Sequence, residues 1–244
     1  MSAIELAQPR IIAIEERGRK YLLTIARITK KQWTHYFEGI VSTSENQSGK
    51  RINSFDSTSA RVELAESALV DAQGYSTADG SAVNSKQGWQ QQIPLRHRQA
   101  IANALVDVER AEPADEAIML GAEAVYLNAV WGADGNGAML KYRNLCHLFN
   151  SPSVEQQKRF SREASRSRIV GGSRRDKTVW LPVQPTLADL YDELIVSVQG
   201  YTVNGADLAS DRDRIVAEMD TFHKVAAADV LFTPASANVL DEGE

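Results

Sequence analysis

Cys146 and His147 are adjacent, and a thiol beside an imidazole is the first pair in this chain whose residue types suit chemistry. Such a pair serves as an activated nucleophile with its base or as two ligands of a soft metal. The spacing argues against both. Read on a helix, neighbouring side chains point apart, and one cysteine with four scattered histidines makes no zinc pattern. Asp134-Gly135-Asn136-Gly137 opens like a calcium loop, but Leu145 stands where that loop needs its bidentate glutamate. Gly171-Gly172 ahead of Lys177-Thr178 lacks the Gly-Lys-Thr adjacency of a phosphate-binding loop. Carboxylates are plentiful, yet none forms a pair that the sequence places in one pocket. The expectation is therefore no catalytic, cofactor-binding or metal-binding residue, and no enzyme. An enzyme whose acid and base come from distant segments stays open as an alternative.

The residues that stand out are basic. Lys158, Arg159, Arg162, Arg166, Arg168, Arg174, Arg175 and Lys177 are opposed within their segment only by Glu163 and Asp176, in a chain of net charge −5. Helical spacing puts Arg159, Arg162 and Arg166 on one side. Such a face suits an acidic protein surface, including the acidic remainder of another copy of the chain. Nucleic acid is the alternative partner, disfavoured because no aromatic stacking platform accompanies the run. Trp89 lies in the polar stretch 85–92, and an aromatic there is expected to anchor an interface. Trp33 and Trp131 are expected in the core. His97 and His223 are expected to share one structural role.

These residues must be held by elements, and the chain names them twice. Gln73-Gly74-Tyr75 recurs as Gln199-Gly200-Tyr201. At the same offset Leu64, Glu66 and Leu69 face Leu190, Asp192 and Ile195, and His97-Arg98 faces His223-Lys224. Self-similarity at a long period points to a duplicated unit. Upstream, His35-Tyr36-Phe37 matches His147-Leu148-Phe149 at a shorter offset, and Tyr21–Arg27 matches Tyr126–Gly132 in pattern. Alternating apolar residues predict a hairpin over Arg10–Ile28. Thr29 and Gln32 predict a capping box, opening a helix that presents Trp33, Tyr36, Phe37 and Ile40 on one face. Ser42–Ser54 reads as a loop. Asp56 or Ser57 caps a helix running to Gln73, with Gly74 as its left-handed stop. Tyr75–Gln92 is a long polar loop, and Pro94 starts a helix to about Val108.

The second unit opens past Pro113. Its expected elements are a hairpin of Glu116–Leu120 with Ala124–Trp131, a turn at Gly132–Gly137 and a helix over Ala138–Asn150 stopped by Pro152. A second capping box at Ser153 and Gln156 starts a polar helix to about Arg166. A basic loop, an extended Thr178–Val183 and a helix from Thr186 to Gln199 stopped by Gly200 come next. One long helix, Asp211–Val230, and a loose acidic tail complete the reading. It is an α+β fold of two similar units, 1–112 and 113–233, each a β-hairpin followed by several helices, with a flexible tail at 234–244.

Composition bounds the rest. The chain has 244 residues, 43% hydrophobic and 24% charged, as in ordinary globular proteins. A single cysteine allows no internal disulfide. No basic and apolar leader occupies Met1–Arg10, and no apolar run is long enough to span a membrane, so neither secretion nor membrane partners are expected.

The order of hairpin, Ile28-Thr29-Lys30-Lys31-Gln32-Trp33, then the Tyr36-Phe37 helix resembles small structural proteins of tailed phages and prophages, tail-assembly chaperones and virion connector or tail components being nearest. The resemblance spans about 40 residues. It implies a non-enzymatic virion or assembly function, exercised through other copies of the chain or other structural proteins, in the host cytoplasm during assembly or in the virion. An intracellular adaptor that binds an acidic partner or nucleic acid through 158–177 is the alternative.

Overall fold

A computed structural model describes residues 3–45, 51–55, 57–77, 80–85, 87–111, 120–134, 136–165, 167–170, 177–180 and 182–233. The boundary expected at Pro113, the cap at Asp56, all but Leu120 of the strand expected at Glu116–Leu120 and the tail at 234–244 lie outside them. After the short strand β1 (Ile4–Glu5), the alternating run gives the expected hairpin. Strands β2 (Arg10–Glu16) and β3 (Arg19–Ile25) pair antiparallel, turning at Arg17 and Gly18, which sit at φ 53° and 71° as a two-residue hairpin turn requires. The Thr29 hydroxyl accepts from the Gln32 backbone N–H, and the Gln32 side chain accepts from the Thr29 N–H. The predicted capping box thus opens α1 (Lys30–Gly39), which buries Trp33, Tyr36 and Phe37.

The stretch expected as a loop is instead a second hairpin, β4 (Val41–Glu45) with β5 (Arg51–Phe55). The helix expected to reach Gln73 also stops early. Helix α2 (Ser57–Ala68) gives way to strand β6 (Leu69–Gln73), which joins β3. Leu69 and Ala72 are buried while Val70 and Gln73 are exposed, because the open edge of β3 binds this backbone and overrides the helical pattern. Gly74 therefore ends a strand, not a helix. Helix α3 (Leu95–Leu105) follows and stops short of Val108.

The second half departs further from its helical reading. Strand β7 (Val108–Ala111) pairs with β8 (Ala122–Ala133), and β8 pairs with β9 (Met139–Asn150), where a helix is expected. Leu145, His147 and Phe149 are buried, and Cys146 and Leu148 between them are only half-buried. That is a period of two, which the leucine spacing masks. The strand that turns back along β8 is β9. Helix α4 (Val154–Ala164) carries the second capping box as predicted. Strands β10 (Ser167–Val170) and β11 (Lys177–Trp180) pair antiparallel, so Thr178–Trp180 is extended as expected, Ile169, Val170 and Lys177 lie in strands, and the rest of the expected basic loop, 171–176, lies outside the described residues. Helix α5 (Gln184–Leu194) contains Thr186 inside its first turn instead of at its cap, and passes into β12 (Ile195–Gln199), which joins β9. Short strands β13 (Tyr201–Val203) and β14 (Ala206–Asp207) pair beyond Gly200. The expected single last helix is two, α6 (Arg212–Glu218) and α7 (Thr221–Phe232), because Asp220 caps a new start by accepting from the N–H groups of Phe222 and His223.

Both halves run through a hairpin, a capped helix, a two-stranded hairpin, a helix, a strand and Gly-Tyr, after which the first has two 3-10 turns and one helix and the second has β13, β14 and two helices. The pairing register agrees as well. Leu22 and Leu23 face Gln73 and Ala72, and Cys146 and His147 face Gln199 and Val198. Both pairings slip at one place, opposite Val70 in the first half and Val196 in the second. Contacts recur at matching positions. Gln32 Nε2 donates to Ser67, and Gln156 Nε2 to Glu193. Glu66 pairs with Arg98, and Asp192 with Lys224. This register matches His35 with Arg159 and Tyr21 with Leu145, correcting the upstream matches expected from the sequence.

The halves share one core. Strand β1 pairs in parallel with β13. Strand β2 lies so close to β8 that a Cβ on Gly132 would sit 2.8 Å from the Ile11 carbonyl oxygen. Helix α1 packs on its own α2 and, across the junction, on α5 and α7. Trp33 there stacks on Phe222 at 5.2 Å between ring centroids, Lys30 reaches Asp189 at 3.8 Å and Arg27 pairs with Glu218.

Candidate interaction surfaces

The basic residues divide between two elements. Ser153 and Gln156 fix the start of α4, and Phe160 anchors its inner side against Phe232 at 5.4 Å. Arg159 turns toward α5. It donates to Glu193 and lies 3.9 Å from Asp189. Burial works to raise the Glu193 carboxyl, but the hydrogen bonds from Arg159 and Gln156 hold it below the usual carboxylate range. Lys158 is exposed, and the Arg162 side chain is 74% exposed beside Glu163. Arg159 and Arg162 line one shallow groove with Gln156 and Glu193, as their helical spacing predicts, with Arg159 neutralising α5 and Arg162 more open to solvent. Arg168 and Lys177 belong to the β10–β11 hairpin, one to each strand. Arg166, Arg174 and Arg175 lie outside the described residues, as do Gly171 and Gly172.

No residue of α4 is fully buried, whereas α1 at the matching place buries three. Val154 at its outer edge is 70% exposed. Beside these surfaces stand the two small hairpins, β4–β5 and β10–β11. Each is a two-stranded sheet of its own, inserted between the matching helix pairs α1/α2 and α4/α5. Two strands alone are marginally stable in water, and their outer edges are templates for a further strand.

Trp89, expected as an exposed anchor, is 7% exposed and packs in the core. A short 3-10 turn at Trp89–Gln92 folds it inward, so it offers no contact to a partner. Asp134 holds a plain turn, with its carboxylate accepting from the N–H groups of Asn136 and Ala138, and Leu145 is buried.

Cys146-His147 sits on a strand, so its side chains do point apart. His147 faces the core between two tyrosines, 3.0 Å from the Tyr191 hydroxyl and 2.9 Å from that of Tyr201, and Tyr201 also reaches Nδ1 of His223 at 2.9 Å. Burial pushes both histidines down to about 3, with the other histidine adding for His147 and Arg10 adding for His223. Burial also raises the Tyr191 and Tyr201 hydroxyls well above their ordinary value. With both rings neutral, both His147 nitrogens and Nδ1 of His223 have a hydroxyl partner in the chain from Tyr191 through His147 and Tyr201 to His223, and the protons can run along the chain in either direction. Next to it Arg10 bonds Asp220 at 3.0 Å and lies over the Trp131 ring at 3.1 Å. The Arg10 guanidinium is pulled down to about 10 by burial, against which Asp220 works.

These groups tie β9, α5, β13 and α7 together, and all are buried. The arrangement is a structural polar core. Sequence reasoning missed Tyr191, Tyr201, Arg10 and Asp220. A signal was present, since Tyr75 and His97 in the first half are spaced and bonded as Tyr201 and His223 are in the second. Among the described residues no cluster of His, Cys, Asp and Glu suits a metal, and no helix is long and apolar enough to cross a membrane. No protein-family model matches the chain, and neither does a curated protein or a solved structure.

Proposed function

We propose that this protein is a non-enzymatic structural or assembly protein of the phage-like class that its N-terminal segment resembles, that it arose by duplication of one hairpin-and-helix unit, and that it works by contacts between copies of the chain. The observation that carries this reading is the pair of small hairpins, β4–β5 and β10–β11, standing at matching places in the two halves as isolated two-stranded sheets. A sheet of two strands is completed by a further strand from a partner. A chain with two such arms can bridge neighbours on either side. The buried His–Tyr core supports the same reading, because it spends the most reactive side chains on internal bonds.

The test is sedimentation of the purified chain over a wide concentration range, beside a variant in which 42–54 and 167–180 are each replaced by a short Gly-Ser linker. The intact chain is expected to form larger species, and the armless variant to stay folded and to associate markedly less. A chain that stays monomeric throughout overturns the proposal. A nucleic-acid gel shift lost on Lys158→Glu/Arg162→Glu, without self-association, would favour the adaptor reading instead.

A further inference from the structure

Matching positions in the two halves show where a second copy of the chain would bind, and this step rests on the self-assembly reading above. Helix α1 is covered on two sides. It packs on α2 of its own half, and its outer residues Lys30 and Trp33 reach Asp189 and Phe222 on α5 and α7 of the other half. Among the described residues, the main contacts of helix α4 are to α5 and to Phe232 of α7, whose ring packs on Phe160 and whose carbonyl oxygen accepts from Gln157 Nε2. By the shared register, Val154, Gln157 and Ser161 stand where Lys30, Trp33 and Phe37 stand on α1. The 100° turn per residue sets Lys158 beside them. All four are exposed.

The complementary surface is exposed too, although Glu63 lies 3.8 Å from His35 and Arg96 is paired with Glu16. Asp189 and Phe222 correspond to Glu63 on α2 and Arg96 on α3. Their side chains are 63% and 64% exposed, and Leu95 next to Arg96 is 52% exposed. We propose that chains associate head to tail, with the outer face of α4 in one copy seated on α2 and α3 of the next as α1 is seated on α5 and α7 within the chain. Each face carries one large exposed apolar residue, Val154 on α4 and Leu95 on α3. Lys158 lies a turn from the position of Lys30 and Glu63 occupies that of Asp189, while the cation Arg96 on the receiving face is already paired with Glu16. The contact joins two different faces. It therefore does not close on itself as a two-fold dimer does, and it propagates into a ring or a filament. Gln157 replaces Trp33, so the contact between chains is more polar than the one within the chain. It is weaker and dissociates with salt.

Two single-cysteine proteins test this, Val154→Cys and Leu95→Cys, both in a Cys146→Ser background and checked by circular dichroism. Under mild oxidation each alone is expected to stay uncrosslinked, and a mixture of the two to give a disulfide-linked dimer. In the unmodified background, Lys158→Glu and Glu63→Lys are each expected to weaken self-association by about tenfold, as loss of a charge pair at an apolar contact can, and the double variant to restore it. Crosslinking of either cysteine protein alone overturns the head-to-tail geometry. An oligomer that gives no mixed crosslink and ignores both charge changes overturns this interface while leaving self-assembly intact. A chain that is monomeric at every concentration overturns the self-assembly reading itself, and this interface with it.

Discussion

At the scale of single residues, the molecule commits its histidines to internal bonds. His147 and His223 are held neutral, with pKa values pushed down to about 3 from an ordinary 6.5. Between these values the unfolded chain binds protons that the folded chain refuses, so stability is complete above pH 6.5 and is lost as pH falls below it. The loss at pH 5 is roughly 2 kcal/mol per histidine. Carboxylates held below their ordinary value, such as Glu16 and Glu193, come into play only at more acidic pH. A fall in melting temperature between pH 7 and pH 5 is therefore the expected mark of the two histidines, and a flat melting profile over that interval would remove it. Tyr201→Phe takes away the hydroxyl that links both rings. It leaves buried nitrogens unpaired, at a cost of about 1–3 kcal/mol for each group so stranded, read by urea denaturation.

Glycine shows the same economy of space. Gly74 and Gly200 have φ of 90° and 88°. A Cβ on Gly74 would lie 2.6 Å from the Lys20 carbonyl oxygen, and one on Gly200 would lie 2.7 Å from a Leu145 methyl. Gly74→Val is expected to cost about 2 kcal/mol or more, since strained φ and a backbone clash combine. Gly200→Val meets the end of a flexible side chain and costs less. Equal melts for the two variants would contradict this ranking.

At the scale of elements, what the sequence made legible was whatever is decided locally. The first hairpin, both capping boxes and the buried face of α1 depend on neighbours within a few residues, and all three are as expected. What was misread depends on partners far along the chain. Leu69–Gln73 and Ile195–Gln199 follow helices without any local stop, and they become strands because β3 and β9 offer free edges. Met139–Asn150 was misread because Leu140, Leu145, Leu148 and Phe149 fall at helical spacing, while the burial that decides between periods follows Leu145, His147 and Phe149. The basic residues were legible as a cluster. Their division between a helix that uses Arg159 internally and a hairpin carrying Arg168 and Lys177 was not. Thr29→Ala and Ser153→Ala test the capping boxes together. Each is expected to lower stability by about 1 kcal/mol, and no measurable change in thermal unfolding would show the caps to be dispensable.

At the scale of the whole molecule, the N-terminal and C-terminal halves share one core through exchanges across their junction. Strand β1 belongs by position to the first half and pairs with β13 in the second. Glu5 there accepts from the N–H groups of Asn204 and Gly205. Removing residues 1–8 is expected to raise hydrogen exchange at Tyr201–Asp207 while leaving the β2–β3 hairpin protected. Unchanged exchange at Tyr201–Asp207 would show that β1 contributes nothing to the second half.

That same strand fixes an order of events during synthesis. Ile4 and Glu5 leave the ribosome long before Gly205, 200 positions further on, has been added. At about 5–20 residues per second the gap is roughly 10–40 s. Through that interval the first half can fold, but β1 has nothing to pair with and its edge is open to any other nascent chain nearby. Two ribosomes on one message bring such chains together, so a strand edge that closes onto the second half late in synthesis is one that a neighbour can meet first.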